Sequence, residues 1–317
     1  MNEHQPLVSI GMPVYNGESF LKNAIQSILE QTFQDFELII SDNASTDKTQ
    51  EICRFYAAQD QRIHYYRNEQ NMGAAWNQSQ VVKLAKGDYF KWAHHDDICA
   101  TQLLEKSVQV LNKNPSVVLC YPQTMIINHL GASVEKCSDG FNLRSTKPHQ
   151  RFRKYHHLVR YGNICNPFHG LIRTNILKKT PIVGGYPSSD LVLLGELVLH
   201  GEFYEIPETL FFKRDHPDNS IRAYPTYRER IAWYDPTKKN KLYLTKWKWL
   251  LEYLRAIRAA PISLLEKFLC YVQMLQWLTW NWLWLIKDLF KALMWPLFKL
   301  FLYLRANPKL AGNTSFL

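Results

Sequence analysis

The feature that most constrains this 317-residue chain is an alternation, over residues 7–127, of short apolar runs with stretches of helical period. LVSIGMP (7–13), FELIISD (36–42) and RIHYYRN (62–68) have strand length and are closed by proline or polar residues. Between the first two, Phe20, Leu21, Ala24, Ile25, Ile28 and Leu29 share one helical face. Between the second and third, Ile52, Phe55 and Tyr56 follow Ser45-Thr46-Asp47, which suits a helix N-cap. A helix over 71–84, a strand over GDYFKWAH (87–94), a helix over 101–111 and a strand over SVVLCYPQTMII (116–127) continue the pattern. SDLVLLGELVLHG (189–201) reads as a later helix, followed by the strand-like FYEIP. Such alternation predicts an α/β fold: a Rossmann-like, mostly parallel sheet flanked by helices. Sheets of this kind bind ligands at the carboxyl ends of their strands, which singles out Pro13-Val14-Tyr15-Asn16, Asp42-Asn43 and His94-His95-Asp96-Asp97.

Charge divides the chain. The formal net charge is +10, yet residues 236–317 hold 13 Lys and Arg against only Glu252, Glu266 and Asp288, so residues 1–235 are balanced. A neutral domain over 1–235, in two parts (1–127 and 128–235), followed by a basic, tryptophan-rich helical tail over 236–317 is the expected organisation. Trp247, Trp249, Trp277, Trp280, Trp282, Trp284 and Trp295 all lie in that tail. From Trp282 to Arg305, at 100° per residue, Lys287, Asp288, Lys291, Lys299 and Arg305 fall within an arc of about 120°, opposite a broad Leu/Phe/Trp face. This describes an amphipathic helix lying on an anionic membrane surface, bent or divided at Pro296. Phe268 to Ile286 is uncharged but carries Gln273, Gln276, Thr279 and Asn281, which favours shallow insertion over a span. The alternative is that these helices pack on the domain. Nucleic acid is not an expected partner, because the tail's aromatics sit in an apolar face rather than among its cations. The scattered Cys53, Cys99, Cys120, Cys137, Cys165 and Cys270 form no close pair, and MNEHQPLVSIGMP lacks the features of a signal peptide. Both point to the cytoplasm, and the tail to peripheral attachment at the cytoplasmic membrane.

Adjacent carboxylates after a buried strand, with Asp42 after another, suit a hard cation and a ribose in one crevice. Mg²⁺ and Mn²⁺ take oxygen ligands, commonly one or two carboxylates completed by substrate phosphates and water. Capping of the following helix is the competing role for Asp96-Asp97, and spacing alone leaves both open.

The ordered set of motifs resembles family 2 glycosyltransferases of the GT-A fold. VSIGMPVYNGESFLKNAIQSILEQTFQDFELIISDNASTDKT is similar to that family's opening, NMGAAWNQS (71–79) to its Asn-x-Gly segment, and GDYFKWAHHDDI to its strand leading into an Asp-x-Asp site. The resemblance spans roughly residues 7–225 and implies a metal-dependent, inverting transfer from a nucleoside-diphosphate sugar to a hydroxyl of a glycan or lipid-linked acceptor. By the same resemblance, Pro13, Tyr15 and Asp42 line the nucleoside pocket, and Asn71 and Gly73 lie beside the donor. Asp96 is the metal-binding aspartate, with Asp97 as a second or water-mediated ligand for Mn²⁺ or Mg²⁺. His95 serves the ribose or a phosphate. The family's usual first aspartate is His94 here, which lowers the carboxylate count. Its catalytic base sits in an acidic pair opening a later helix; Ser188-Ser189-Asp190-Leu191 matches with serine in the first place, leaving Asp190 as the base. Glu196 is six residues on and off that face. NPFHGLIR (166–173) resembles the acceptor-side segment, and Arg214-Asp215-His216 an Arg-x-His that steadies the donor's phosphates.

Other classes fit less well. A dinucleotide-binding dehydrogenase needs a GxGxxG after the first strand, and a sugar nucleotidyltransferase a Gly-rich loop with Lys or Arg for a triphosphate; GMPVYNGES supplies neither. His94 and Ser189 leave a further alternative, a donor-binding protein without catalysis.

Overall fold

A computed structural model of the chain describes residues 5–137, 140–161 and 166–306. Cys165 and the end of the tail beyond 306 lie outside these residues. Strands β1 (Val8–Val14), β2 (Phe36–Asp42), β3 (Ile63–Arg67) and β4 (Tyr89–Trp92) run parallel in the order β3-β2-β1-β4. They are joined by α1 (Leu21–Leu29), α2 (Thr49–Gln59) and α3 (Ala74–Leu84), close to the spans the periodicity predicts. In register, Val14 pairs with Asp42 and Asp42 with Arg67, so the carboxyl ends of β1, β2 and β3 finish together. At Gly11 a Cβ would come within 2.6 Å of Val81 and Phe90, so glycine lets α3 lie directly on β1.

Beyond β4 the sheet becomes mixed. After β5 (Ile98–Cys99) and α4 (Leu103–Lys113) come β6 (Val117–Ile127) and β7 (Ser133–Cys137). Then follow α5 (Pro148–Tyr161), β8 (Leu171–Arg173), α6 (Thr174–Leu177), α7 (Ser189–His200) and β9 (Glu202–Arg214). β8 wedges antiparallel between β4 and β6, β9 runs parallel to β6, and β5 closes the edge antiparallel to β9. β9 continues well past the FYEIP run and delivers Arg214 to the sheet's ligand-binding end. The chain then forms α8 (Ser220–Ala223), α9 (Tyr227–Tyr234), α10 (Thr245–Ala259) and α11 (Leu264–Ala306).

Helices α1, α2 and α4 close one core; α3, α5, α7, α10 and α11 close the other. The second core crosses the expected boundary at residue 235. Tyr253, Ala256 and Ile257 of α10 are fully buried, and the Tyr253 ring meets Phe152, His156 and Trp277 edge-on. Residues 236–260 are therefore part of the domain's packing rather than a separable tail. Apolar spacing alone does not distinguish a helix that packs on a domain from one that meets lipid.

Helix α11 has two sides. Cys270, Met274, Trp277 and Leu285 face inward, whereas Leu275, Leu283, Phe290 and Leu293 are exposed. Its 43 residues span about 65 Å and continue through Pro296 without division. Asp288 is buried, accepting from the Lys246 backbone amide at 2.9 Å, and Lys291 reaches Asp288 at 2.9 Å. Among the described residues no helix is long and apolar enough to cross a membrane.

Candidate active site

The loops after β1 and β2 are tied together before any ligand enters. Asn16, at a φ of 52°, accepts from the Thr46 amide at 2.8 Å, and its own amide donates to Ser45 Oγ at 2.9 Å. The Glu18 amide donates to Asp47 at 3.0 Å, and so does the Thr49 amide that opens α2. This lacing holds Pro13, Tyr15 and Asn16 along one wall of a cavity of about 260 Å³. Asn43, Asn71, His95, Asp96, His216 and Asp218 belong to its polar lining, and Tyr224 and Trp233, stacked at 26°, also line it.

Two residues expected beside the donor are placed differently. Asp42 is fully buried: its carboxylate accepts from Tyr65 Oη at 2.7 Å, Arg67 Nη1 at 2.5 Å and the Ser45 amide at 2.8 Å. It does not line the cavity, because the register of β2 against β3 sets Tyr65 and Arg67 against it; its neighbour Asn43 faces the opening instead. Gly73 also stands outside the lining. It has a φ of 89°, and a Cβ there would fall 2.6 Å from the Tyr234 carbonyl oxygen and Pro236. Asn71 accepts from the Gly73 amide and Asn43 Nδ2, each at 2.9 Å, and keeps its place in the cavity.

After β4 the chain turns through His94-His95-Asp96-Asp97 and returns as β5. Asp96 Oδ2 lies 2.9 Å from His216 Nε2. Burial opposes the charged form of Asp96, but His216's hydrogen bond and the surrounding histidines outweigh it and hold the carboxyl below its usual range. The bond to Asp96 in turn raises His216. Asp97 faces the other way. Its Oδ1 accepts from the Arg214 amide at 2.9 Å, its Oδ2 is 3.6 Å from His94 Nδ1, and burial together with Asp96 pushes it up. Thus His216, expected at the phosphates, stands where Asp97 was expected. Arg214 is also redirected. Its guanidinium donates to the carbonyls of Asp96 at 2.9 Å, Asn128 at 3.1 Å and His129 at 3.2 Å and lies over the Phe20 ring, so it braces the Asp96 turn instead of offering a fork to phosphate.

Asp96 and His216 fit a divalent ion. Two ligands at neighbouring corners of an octahedron with bonds of about 2.1 Å lie about 3.0 Å apart, close to the separation found here. Nδ1 of His216 is buried without a hydrogen-bond partner, so the one contact the ring would exchange for a bound ion is the Nε2 bond to Asp96. Burial pushes His94 down to about 4, which keeps it neutral.

Asp190 opens α7 after Ser188, whose φ is 57°. It reaches a second cleft of about 610 Å³, which also receives Asp96, Asp97, His94 and Lys213 and has an apolar wall including Phe168 and Leu191. Burial raises the Asp190 carboxyl. Glu196 instead lies under Arg255 of α10, away from this cleft. Asp96 thus borders both openings, with Asp190 lining the second.

The sequence reading singled out Asn43 by position but gave it no role, and it missed Trp233, Tyr224 and the Tyr65–Arg67 clamp. Pairing the ends of β2 and β3 would have found the clamp, since Tyr65 and Arg67 alternate onto one face. Trp233 and Tyr224 lie in short helices after the last strand and carry no local signal.

Known proteins place this architecture. The structure is similar to that of Staphylococcus aureus TarS 1-349 in complex with UDP, with a TM-score of 0.59 at 14% identity over 86% of this chain and 72% of that one. The same TarS fragment in complex with UDP-GlcNAc aligns with a TM-score of 0.59 at 15% identity, over 82% of this chain and 69% of that one. At such identities the likeness establishes the fold, which is GT-A. The sequence profile of glycosyl transferase family 2 matches residues 9–169, half of the chain, and the protein belongs to that family. An uncharacterized glycosyltransferase of Rickettsia typhi is 34% identical over 154 residues, 48% of this chain and 44% of that protein. Streptococcus pneumoniae glycosyltransferase GlyG is 35% identical over 114 residues, 36% of this chain and 38% of its own length. Bacillus subtilis TuaG, named as a candidate teichuronic acid biosynthesis glycosyltransferase, is 34% identical over 111 residues, 35% of this chain and 44% of TuaG. The matched segments span less than half the length of these curated relatives.

Proposed function

We propose that the protein is an inverting glycosyltransferase that moves a sugar from a nucleoside diphosphate to a hydroxyl of a glycan or lipid-linked acceptor in cell-surface polysaccharide synthesis. The observation that carries this reading is the position of the Asp96–His216 pair at the meeting of two openings, one lined for a nucleotide and the other holding Asp190. The names of TarS's ligands, UDP and UDP-GlcNAc, support a nucleotide-sugar donor, and the name of TuaG supports a surface polysaccharide as the product class.

In this mechanism Pro13, Tyr15, Asn16 and Asn43 take the nucleoside, with Trp233 and Tyr224 excluding water. Asp42 acts indirectly, fixing the loop that carries Asn43 through its bond from Ser45. His95 and Asn71 hold the ribose and the first phosphate. Mn²⁺ or Mg²⁺ on Asp96 and His216 would supply positive charge against the departing diphosphate. Arg214 fixes the Asp96 turn. Asp190 accepts the proton of the acceptor hydroxyl as that oxygen attacks the anomeric carbon from the face opposite the diphosphate; its raised carboxyl is the stronger base for that transfer. The enzyme works on the cytoplasmic side, peripherally attached to the membrane through α11, whose exposed apolar face suits a lipid interface.

A thermal-shift and calorimetric screen of UDP-, GDP- and dTDP-sugars with Mn²⁺ tests the reading. One nucleotide should stabilise the wild type in a metal-dependent way and fail to do so with Asp96→Ala. A folded protein that binds none of them, with or without metal, would rule the donor class out.

A further inference from the structure

A third cavity, of about 320 Å³, lies between α9 and α11, away from the donor cavity and the Asp190 cleft. Its volume is within the range of about 300–1,000 Å³ usual for small-molecule sites. The floor is apolar, with Ile231 from α9, Leu242 from the following loop, and Met294 and Trp295 from α11. Arg228, Lys238, Lys241 and Lys291 also line it, and no carboxylate does among the described residues. Their cationic groups are anchored. Arg228 donates to Asn240 at 2.9 Å, Lys238 is paired with Asp235 at 3.1 Å beside the Tyr243 ring, and Lys291 with Asp288 at 2.9 Å beside that of Tyr227, so two of the four cations already hold a carboxylate.

Location narrows the occupant. At 100° per residue, Lys291, Met294 and Trp295 form a stripe of α11 whose Met294 edge lies about 40° from Phe290 and about 60° from Leu297. Those two side chains are 61% and 59% exposed, and Met294 itself is 39% exposed. A bilayer that receives the exposed face therefore meets the cavity at Met294, with its headgroups on the side of the cations. A nucleotide would gain little from such a floor, and an acidic peptide would leave its backbone polar groups facing Met294 and Trp295 unpaired. A phosphate-headed amphiphile satisfies both halves of the cavity.

We infer that this cavity is a binding site for one anionic phospholipid, its phosphate held by Arg228, Lys238, Lys241 and Lys291 and the start of an acyl chain seated on Ile231, Met294 and Trp295. The inference rests on the membrane part of the reading above and specifies the lipid class behind it. It separates a saturable site from general attraction between a basic tail and a charged surface.

The test uses the full chain. Flotation with phosphatidylcholine vesicles, with or without one-third phosphatidylglycerol, measures surface binding; calorimetry with short-chain phosphatidylglycerol below its micelle point measures the site. One cation near an anionic surface is worth about fivefold in partition, so Arg228→Gln with Lys241→Gln should weaken vesicle binding roughly 30-fold. The charge-matched control, Lys239→Gln with Lys287→Gln, removes cations that do not line the cavity and should leave short-chain binding intact. Met294→Trp fills the cavity without altering charge and should abolish saturable short-chain binding while most vesicle binding remains. Inorganic phosphate alone should not compete. Equal losses in the two charge pairs, unaltered short-chain binding in Met294→Trp, or displacement by inorganic phosphate would each overturn the site. Failure to float with any vesicle would instead remove the membrane reading itself, and donor binding would be unaffected by either result.

Discussion

The Asp96–His216 contact predicts a competition between a proton and a metal that can be counted. His216 Nε2 lies 2.9 Å from Asp96 Oδ2, and the bond raises the imidazole above its ordinary 6.5. A group raised in the folded state stabilises the fold fully below its unfolded value and loses that contribution as pH rises through the folded value. The metal-free protein therefore keeps the ion pair in mild acid and loses it as pH rises through a value above 6.5. A metal needs the same nitrogen lone pair, so below the raised value each ion bound must expel one proton. The Mn²⁺ dissociation constant should then fall about tenfold per pH unit, equivalent to about 1.4 kcal/mol, and level off above the raised value. Calorimetry of Mn²⁺ in the presence of the bound nucleotide, between about pH 5.5 and 8 in two buffers of different ionisation enthalpy, measures both the slope and the protons released. His216→Ala should bind Mn²⁺ at least about tenfold more weakly and show no slope in this window. A wild-type affinity independent of pH, or a slope that survives in His216→Ala, would refute the pairing of Asp96 with His216 as the ion's ligands.

Other expectations follow from single contacts. Asp190→Asn should lower kcat by about 10²–10⁴-fold with nucleotide affinity unchanged, as measured by initial rates and calorimetry. Because burial raises Asp190, the wild-type kcat/KM should fall as pH drops through a value above the ordinary 3.8 of an aspartate, and a limb at or below that value would count against Asp190 as the base. Tyr253→Ala empties the fully buried site where α10 meets α5 and should cost about 3–5 kcal/mol in urea unfolding; a loss below about 1 kcal/mol would mean that α10 is peripheral. Arg67→Ala removes one donor from the buried Asp42 carboxylate and should cost about 1–3 kcal/mol, with nucleotide affinity reduced through the loosened Asn43 loop.

The parallel half of the fold was legible because β1 and β2 are buried on both faces and the helices on one, which leaves clear periods in residues 7–84. The mixed half was harder to read. β8 has three residues, and β5 two, too few to carry a period, and their places depend on the long-range partners β4, β6 and β9. The same division holds in the site. Pro13, Tyr15, His95 and Asp96, singled out by position after a strand, line the first cavity together with Asn71, and Asp190 lies in the neighbouring cleft. Asp42 and Asp97 also stand at strand ends and Arg214 closes a later strand, but their side chains are consumed by Tyr65 and Arg67, by the Arg214 amide, and by three carbonyls. Position in a strand names the end of the sheet a residue reaches, but the direction of its side chain is set by partners distant in sequence.

The C-terminal helix shows the same limit from the opposite side. Its charges do fall in one arc, but the arc is not simply the solvent face. Asp288 is buried against the start of α10, where the Lys246 amide supplies a donor, and Lys291 leans back onto Asp288 and Tyr227. The domain therefore occupies part of the polar side, which leaves the apolar side facing outward. Had α11 been a core helix, that side would have been the buried one. Because α10 is packed in the core, removing residues 240–317 would expose Tyr155, Leu194 and their neighbours and confound any test of membrane binding. The informative perturbation is confined to the outer face. Leu283→Gln, Phe290→Gln and Leu293→Gln together alter residues more than half exposed, so thermal stability should change little while flotation with vesicles is lost. A variant that melts normally and still floats would leave the exposed face of α11 without a role at the membrane.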